Sequence, residues 1–291
     1  SKDNLRTKFH SRTIAISKNN FDFFNKEIIK FKKKMVWNVN KIEIYNEKLK
    51  NEKILNFQNK NGQLFSTFKN NEIYNLIQSD LKKNKLFKKL NIKNNNHYKK
   101  ILKSDKYDLI INCDPKNKIY KNFFLNRIYK NYNSYAYTTI IKHQNLNNKK
   151  AIQIFTKHGP IAFLPISNSE TSIVYSIFNE NGLFNENEIK DLIKKYNNIY
   201  KIKNFNKIEK FELNFSIPKN YYYKNLMIFG DSLHKIHPLA GQGFNMIIRD
   251  IKILSDLIQN RLDLGLPLDH SIYEEFEKKT KHFNFIFSSG N

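Results

Sequence analysis

The sequence predicts an α/β chain in which one α/β domain is interrupted twice by pieces of a β-sheet domain. Three observations predict it. Residues 107–113 form a nearly continuous apolar strand of the kind a buried parallel sheet uses. Residues 135–142, 151–157, 161–166 and 171–178 are four strand candidates in succession, which argues for a largely antiparallel sheet. A further apolar strand, 226–229, runs through Gly230-Asp231 and a turn rich in Pro and Gly into a helix opening at Asn245.

The other elements follow from periodicity. In 17–31, Phe21, Phe24, Ile28 and Phe31 fall on one helical face, and Ser17 can cap it. Residues 36–45 alternate loosely as a strand. Residues 53–57 and 63–68 supply partners, with Asn61-Gly62 as a hairpin turn. Residues 69–83 read as a helix, and the Lys- and Asn-rich run 82–100 as a solvated loop. An amphipathic helix spans 185–200, with Asn185 or Asn187 as its cap. A strand covers 211–217, and helices cover 245–260 and 271–287. The α/β domain then takes 1–34, 68–127 and 222–291, and the sheet domain 35–67 and 128–221.

Composition narrows the function classes. Net charge is +25, but only five of the 51 basic residues are Arg. Arg is the better reader of phosphates and bases, so the charge does not point to a nucleic-acid protein. The excess of Lys, Asn, Ile, Phe and Tyr with few Gly matches a bias toward AT-rich codons. A single cysteine, Cys113, excludes an internal disulfide and a Cys-based zinc site, and at the end of an apolar strand it reads as a small hydrophobe. No apolar run is as long as a membrane span.

Chemistry is concentrated in 228–251. Pro238, Gly241 and Gly243 permit a tight turn in which backbone approaches a ligand closely. The first N–H groups of the following helix lack internal acceptors and lie at the positive end of its dipole, which suits an anion or an electron-rich ring edge. Asp231 repels phosphate, so a ribose or ribityl hydroxyl is its natural partner.

Gly230, Asp231, Ser232, His234, Pro238, Gly241, Gln242, Gly243, Asn245 and Asp250 together resemble the second flavin-binding motif of the FAD-dependent aromatic hydroxylases. The form His-Pro-Leu-Ala-Gly-Gln-Gly-Phe-Asn is most similar to the ubiquinone-biosynthesis branch. Segments 11–17, 71–81, 108–114 and 159–165 resemble the family more weakly, in the family's order. The resemblance implies a p-hydroxybenzoate-hydroxylase-like fold. Its FAD/NAD(P)-binding Rossmann-like domain is incomplete at the N-terminus and interleaves with a β-sheet substrate domain. The family's opening Gly-x-Gly-x-x-Gly loop is absent from the 291 residues, and the first match, Arg12, lies downstream of its expected place. Pro115 follows Asp114 where the family has Gly and removes a backbone donor. The 26 residues between Leu81 and Asp108 are few for the β-meander expected there, and another helix is expected after Asn291.

The activity implied is a monooxygenase in which NAD(P)H reduces FAD, a flavin C4a-hydroperoxide forms with O2, and the ring of a polyprenylated phenol in ubiquinone biosynthesis is hydroxylated. The cofactor carries that chemistry, so no catalytic side chain is assigned; His237 and Pro238 lie nearest the flavin. The implied cofactor-binding set is Arg12, Asp114, Gly230, Asp231, Pro238, Gly241, Gln242, Gly243, Phe244 and Asn245. His234 and His237 have zinc-like spacing, but no third ligand lies nearby. Trp37 and the many Phe and Tyr could line a prenyl pocket or form ordinary core. The partners implied are the polyprenyl phenol, other ubiquinone-biosynthesis proteins and a membrane surface, but no nucleic acid. The place implied is the cytoplasm, peripheral on the inner membrane. A degenerate, non-catalytic partner of ubiquinone enzymes is the alternative.

Overall fold

The computed structural model describes residues 13–49, 52–59, 62–90, 95–104, 106–178, 183–234 and 242–289. In chain order the first elements are β1 (Thr13–Ser17), α1 (Lys18–Phe23), β2 (Trp37–Val39), β3 (Lys41–Asn46), β4 (Glu52–Gln58), β5 (Phe65–Lys69) and α2 (Asn70–Leu81). Then come α3 (Asn95–Lys103), β6 (Ile110–Asn112), α4 (Lys118–Phe123), β7 (Arg127–His143), β8 (Lys150–Thr156), β9 (Gly159–Pro165), β10 (Glu170–Phe178) and α5 (Glu186–Tyr196). The last are β11 (Ile202–Phe205), β12 (Glu209–Pro218), β13 (Tyr222–Tyr223), β14 (Leu226–Ile228), α6 (Gln242–Asp263) and α7 (Ser271–Ser289).

The described residues group into two compact units: 13–87, 132–213 and 242–244 in the first, 88–131, 214–234 and 245–289 in the second. The first unit holds a small antiparallel sheet, β1-β5-β2, and a large one ordered β11-β7-β10-β9-β8-β3-β4, with β12 also paired to β7. In the large sheet β3 and β8 run parallel, whereas β8, β9, β10 and β7 are antiparallel neighbours. The alternation of β9, buried at every second residue, places Ile161 and Phe163 inward. Helix α5 is apolar on one face, and its Ile189, Ile193 and Tyr196 join Ile141, Ile161, Ile173 and Tyr175 in one core. Burying each such side chain contributes about 1.5–3 kcal/mol. The helix starts with a capping box: Asn185 accepts from the N–H of Glu188, whose carboxylate accepts the N–H of Asn185.

The second unit contains the sheet β13-β14-β6, in which β14 and β6 are parallel, with Ile110 opposite Leu226 and Asn112 opposite Ile228. Helix α7 packs here: Phe276 lies 5.7 Å from Phe229, Tyr273 Oη donates to the carbonyl of Ile110, and Glu277 accepts the N–H of Tyr221.

The four-strand succession and the parallel pairing of β6 with β14 are as the sequence predicts, but β6 is shorter than expected and only its Asn112 is buried. Four expectations are corrected. Strands β4 and β5 do not form a hairpin: β4 pairs with β3 in the large sheet, and β5 with β1 and β2 in the small one. The segment between them therefore carries the chain from one sheet to another rather than closing a two-strand turn. Asn95–Lys103 is a helix within the run read as loop, because its Tyr98, Ile101 and Leu102 are spaced to half-bury while the lysines face water. Ser17 stands at the N-cap of α1 without a side-chain cap bond, and the helix widens into π turns over Phe24–Ile28. Cys113 is exposed rather than packed, since β6 ends one residue before it.

Candidate cofactor site

Two parallel strands, β6 and β14, end side by side, so Cys113-Asp114 and Phe229-Gly230 leave the sheet at the same end. In open α/β sheets, the carboxyl ends of parallel strands are where ligands bind. The two loops are locked differently. After β14 the chain turns sharply: the carbonyl of Gly230 accepts the N–H groups of Leu233 and His234, each at 2.9 Å. Gly230 has φ +58°, the left-handed region where a side chain is strained, although a Cβ there would meet nothing within 4 Å. The need for glycine is conformational, not spatial. This turn delivers Asp231 to the surface with its carboxylate exposed, while Ser232 and His234 turn inward.

After β6 the chain makes an Asx turn. Asp114 Oδ1 accepts the N–H of Lys116 at 2.9 Å, and Asn112 bonds the side chain of Asn117, which in turn caps α4 through the N–H of Tyr120. Pro115 sits inside this turn, where its fixed φ helps. Although Cys113 as a residue is exposed, its neighbours desolvate the thiol enough to raise its pKa, and the nearby Asp231 carboxylate raises it further. Cys113, Asp114 and Asp231 thus share one strand-end environment.

The turn after Gly230 leads into a buried pair that sequence reasoning missed. His234 Nε2 meets Asp250 Oδ2 at 2.5 Å, with both side chains about 1% exposed. Arg249 adds two bonds to Asp250 Oδ1, at 3.0 and 2.7 Å. With Nε2 facing a carboxylate, Nδ1 is left over; it is buried without a hydrogen-bond partner among the described residues, as is Ser232 Oγ. The sequence signal was present in the motif, which contains both His234 and Asp250, but sixteen positions separate them. The expected helix start moves: α6 opens at Gln242 rather than Asn245, which places Gly243, Phe244 and Asn245 in its first turn. Phe244 sits 6.3 Å from Phe24, at the end of a run of rings through Phe31 to Phe68. A Cβ on Gly243 would meet nothing within 4 Å.

Of the expected site residues, the structure brings Asp114, Gly230 and Asp231 to one strand end and puts Gln242, Gly243, Phe244 and Asn245 on one helix turn. Arg12, His237, Pro238 and Gly241 lie outside the described residues. No group of three His, Cys, Asp or Glu suited to a metal occurs among the described residues. The groups present fit a polyhydroxylated cofactor arm: an exposed Asp231 carboxylate to accept hydroxyl hydrogens, with Ser232 Oγ and His234 Nδ1 buried and without a partner among the described residues.

Comparison with known proteins accords with this geometry. The family model for squalene epoxidase matches residues 106–286. The mitochondrial ubiquinone biosynthesis monooxygenase COQ6 of Caenorhabditis elegans is 24% identical over 184 residues, covering 46% of this chain and 40% of that protein. The 3-demethoxyubiquinol 3-hydroxylase of Escherichia coli is 35% identical over 71 residues, 24% of this chain and 18% of that one. The chain thus spans less than half the length of these relatives. A solved mutant of PqsL from P. aeruginosa superposes with TM-score 0.73 at 12% identity, covering 98% of this chain and 85% of that one. The fold is the p-hydroxybenzoate-hydroxylase-like fold of FAD-dependent monooxygenases. With more than half of its residues matched by that family model, the chain belongs to the squalene epoxidase family of FAD-dependent monooxygenases.

Proposed function

We propose that this chain acts as an FAD-dependent monooxygenase that hydroxylates the ring of a polyprenylated phenol in ubiquinone biosynthesis, with NAD(P)H as reductant. One observation carries it: Gly230, at φ +58°, presents the exposed Asp231 carboxylate at the end of the parallel pair β14 and β6. The names of the matched relatives support the pathway and the substrate class.

When bound, FAD supplies the oxidising chemistry, taking electrons from NAD(P)H and passing one oxygen atom of O2 to the ring. The protein's part is binding and orientation. Asp231 accepts hydrogen bonds from ribose or ribityl hydroxyls; as a carboxylate it can accept several at once. Asp250 holds the His234 ring by Nε2, which fixes the direction in which Nδ1 points. The first-turn N–H groups of α6, contributed by Gln242, Gly243, Phe244 and Asn245, suit an electron-rich ring edge. Arg12, Pro238, Gly241 and Asp114 complete the proposed set, with His237 and Pro238 on the reacting side. We assign cofactor binding to 1–34, 68–127 and 222–291, and the substrate wall to 35–67 and 128–221.

A second reading, a non-catalytic partner of ubiquinone-biosynthesis enzymes, draws on Asp114: its Oδ1 is already used by the N–H of Lys116, and Pro115 offers no donor. Product analysis separates the two. The full-length protein, given NAD(P)H, O2 and a polyprenylated phenol, should yield a ring-hydroxylated product. No NAD(P)H consumption and no product from a flavin-loaded protein would favour the partner reading.

A further inference from the structure

Helix α2 ends at Leu81, and the next nine residues, 82–90, are all exposed. Three of them are large and apolar: Leu86 is 95% exposed, Phe87 40% and Leu90 51%. Single exposed apolar residues are ordinary on protein surfaces, but these sit in an unusual setting. Residues 82–104 carry nine lysines and no acidic residue. Lys82, Lys83, Lys85, Lys88 and Lys89 form no ion pair with a described residue. The tip is a built turn. Asn84 Oδ1 accepts the N–H of Leu86 at 2.9 Å, and its carbonyl accepts the N–H of Phe87 at 3.1 Å. The N–H groups of Lys82, Lys83 and Asn84 tie back to the last turn of α2. Leu86 and Phe87 are thereby held out, not tucked in.

We propose that residues 82–90 are a membrane-contact segment. Leu86, Phe87 and Leu90 enter the boundary between headgroups and acyl chains of an anionic bilayer, and the flanking lysines rest at phosphate level with their stems along the apolar residues. Charge complementarity selects this occupant. An uninterrupted lysine field is attracted by anionic lipid and gains strength with each well-placed lysine, whereas an apolar protein groove would leave those charges unmatched. A second exposed apolar site makes the contrast: Leu262 at the end of α6 and Leu264 and Leu266 just after it have Asp263 and Asp269 beside them and lack such a field. No helix among the described residues is long and apolar enough to cross a membrane, so the contact is interfacial. The inference deepens the proposed function and rests on it for its purpose, since a polyprenyl substrate resides in lipid; the segment's own surface is the observation behind it.

The test is flotation of the full-length protein with vesicles of phosphatidylcholine alone or with about one-third phosphatidylglycerol. Binding is expected to the anionic vesicles, and the double variant Leu86→Glu, Phe87→Glu should reduce it by about tenfold or more. Leu264→Glu, also on an exposed residue, should leave binding unchanged. No binding by the unaltered protein would overturn the proposal and leave the segment to a protein partner. Undiminished binding by the double variant would overturn it too, as attraction by charge alone. So would loss of binding in Leu264→Glu. Circular dichroism checks that each variant is folded. Flavin absorbance read from the same samples keeps the two claims apart: vesicle binding lost with flavin retained sinks only this one.

Discussion

Two buried carboxylates, Glu43 in β3 and Asp250 in α6, solve the same problem in different ways. Glu43 is 2% exposed and receives Lys41, Lys53 and Lys150 at 2.9, 2.8 and 2.8 Å, plus the hydroxyl of Tyr45. The three lysines come from three neighbouring strands and are 29–41% exposed at their side chains. Asp250 is 1% exposed and has Arg249 and His234, the latter equally buried. At Glu43 every charged partner can retreat to water. At Asp250 one partner cannot, and that partner's Nδ1 is buried without a hydrogen-bond partner among the described residues. The first arrangement closes a sheet; the second leaves a polar group in reserve, as a binding site requires.

The largest effect should come from breaking the second arrangement. Asp250→Ala strands a buried imidazole and is expected to cost about 3–5 kcal/mol in urea-induced unfolding. Glu43→Ala should cost less, about 1–3 kcal/mol, because the freed ammonium groups can hydrate. Equal losses would break the comparison.

The pH dependence sharpens it. Burial alone would raise the pKa of Glu43, but the hydrogen bonds from Lys150, Lys53, Lys41 and Tyr45 outweigh burial and hold it well below the ordinary carboxylate range. A folded pKa below the unfolded one means that the ionised form stabilises the fold. That contribution is full above the unfolded value of 4.5 and fades as pH falls from there through the folded pKa. Thermal melts should therefore show a drop below about pH 4.5 that is smaller in Glu43→Gln. An unchanged acid limb would remove Glu43 from the account. The smallest effect is local: Asn185→Ala removes the α5 capping box and should lower stability by about 1 kcal/mol by the same urea measurement.

Much of this was legible in the residues. The strand-turn-helix around Gly230 and Asp231 carries its own signals: an apolar run, a glycine where the chain must turn, then helical spacing. The antiparallel strands from 135 to 178 announced themselves by β-branched and aromatic runs. Pairing was less visible. Strand β4 is exposed along its whole length and joins β3, which local pattern cannot distinguish from a hairpin with β5. In β3 the alternation suggests Ile42 and Ile44 inside, yet Glu43 is the buried residue, because lysines from β4 and β8 converge on it. The His234–Asp250 pair was hidden for a similar reason: its partners are close in space and distant in sequence. His234 read more readily with His237 at short range, as a metal-like spacing.

The central claim is that the Gly230-Asp231 strand end holds FAD, and equilibrium FAD titration tests it most directly. The full-length protein should bind FAD and be yellow. Asp231→Ala should lose charge-assisted hydrogen bonds of about 1.5–3 kcal/mol, weakening the Kd by about 10- to 100-fold with the fold intact. A folded, colourless protein that does not take up FAD, or an Asp231→Ala variant that binds as tightly as the parent, would contradict the account.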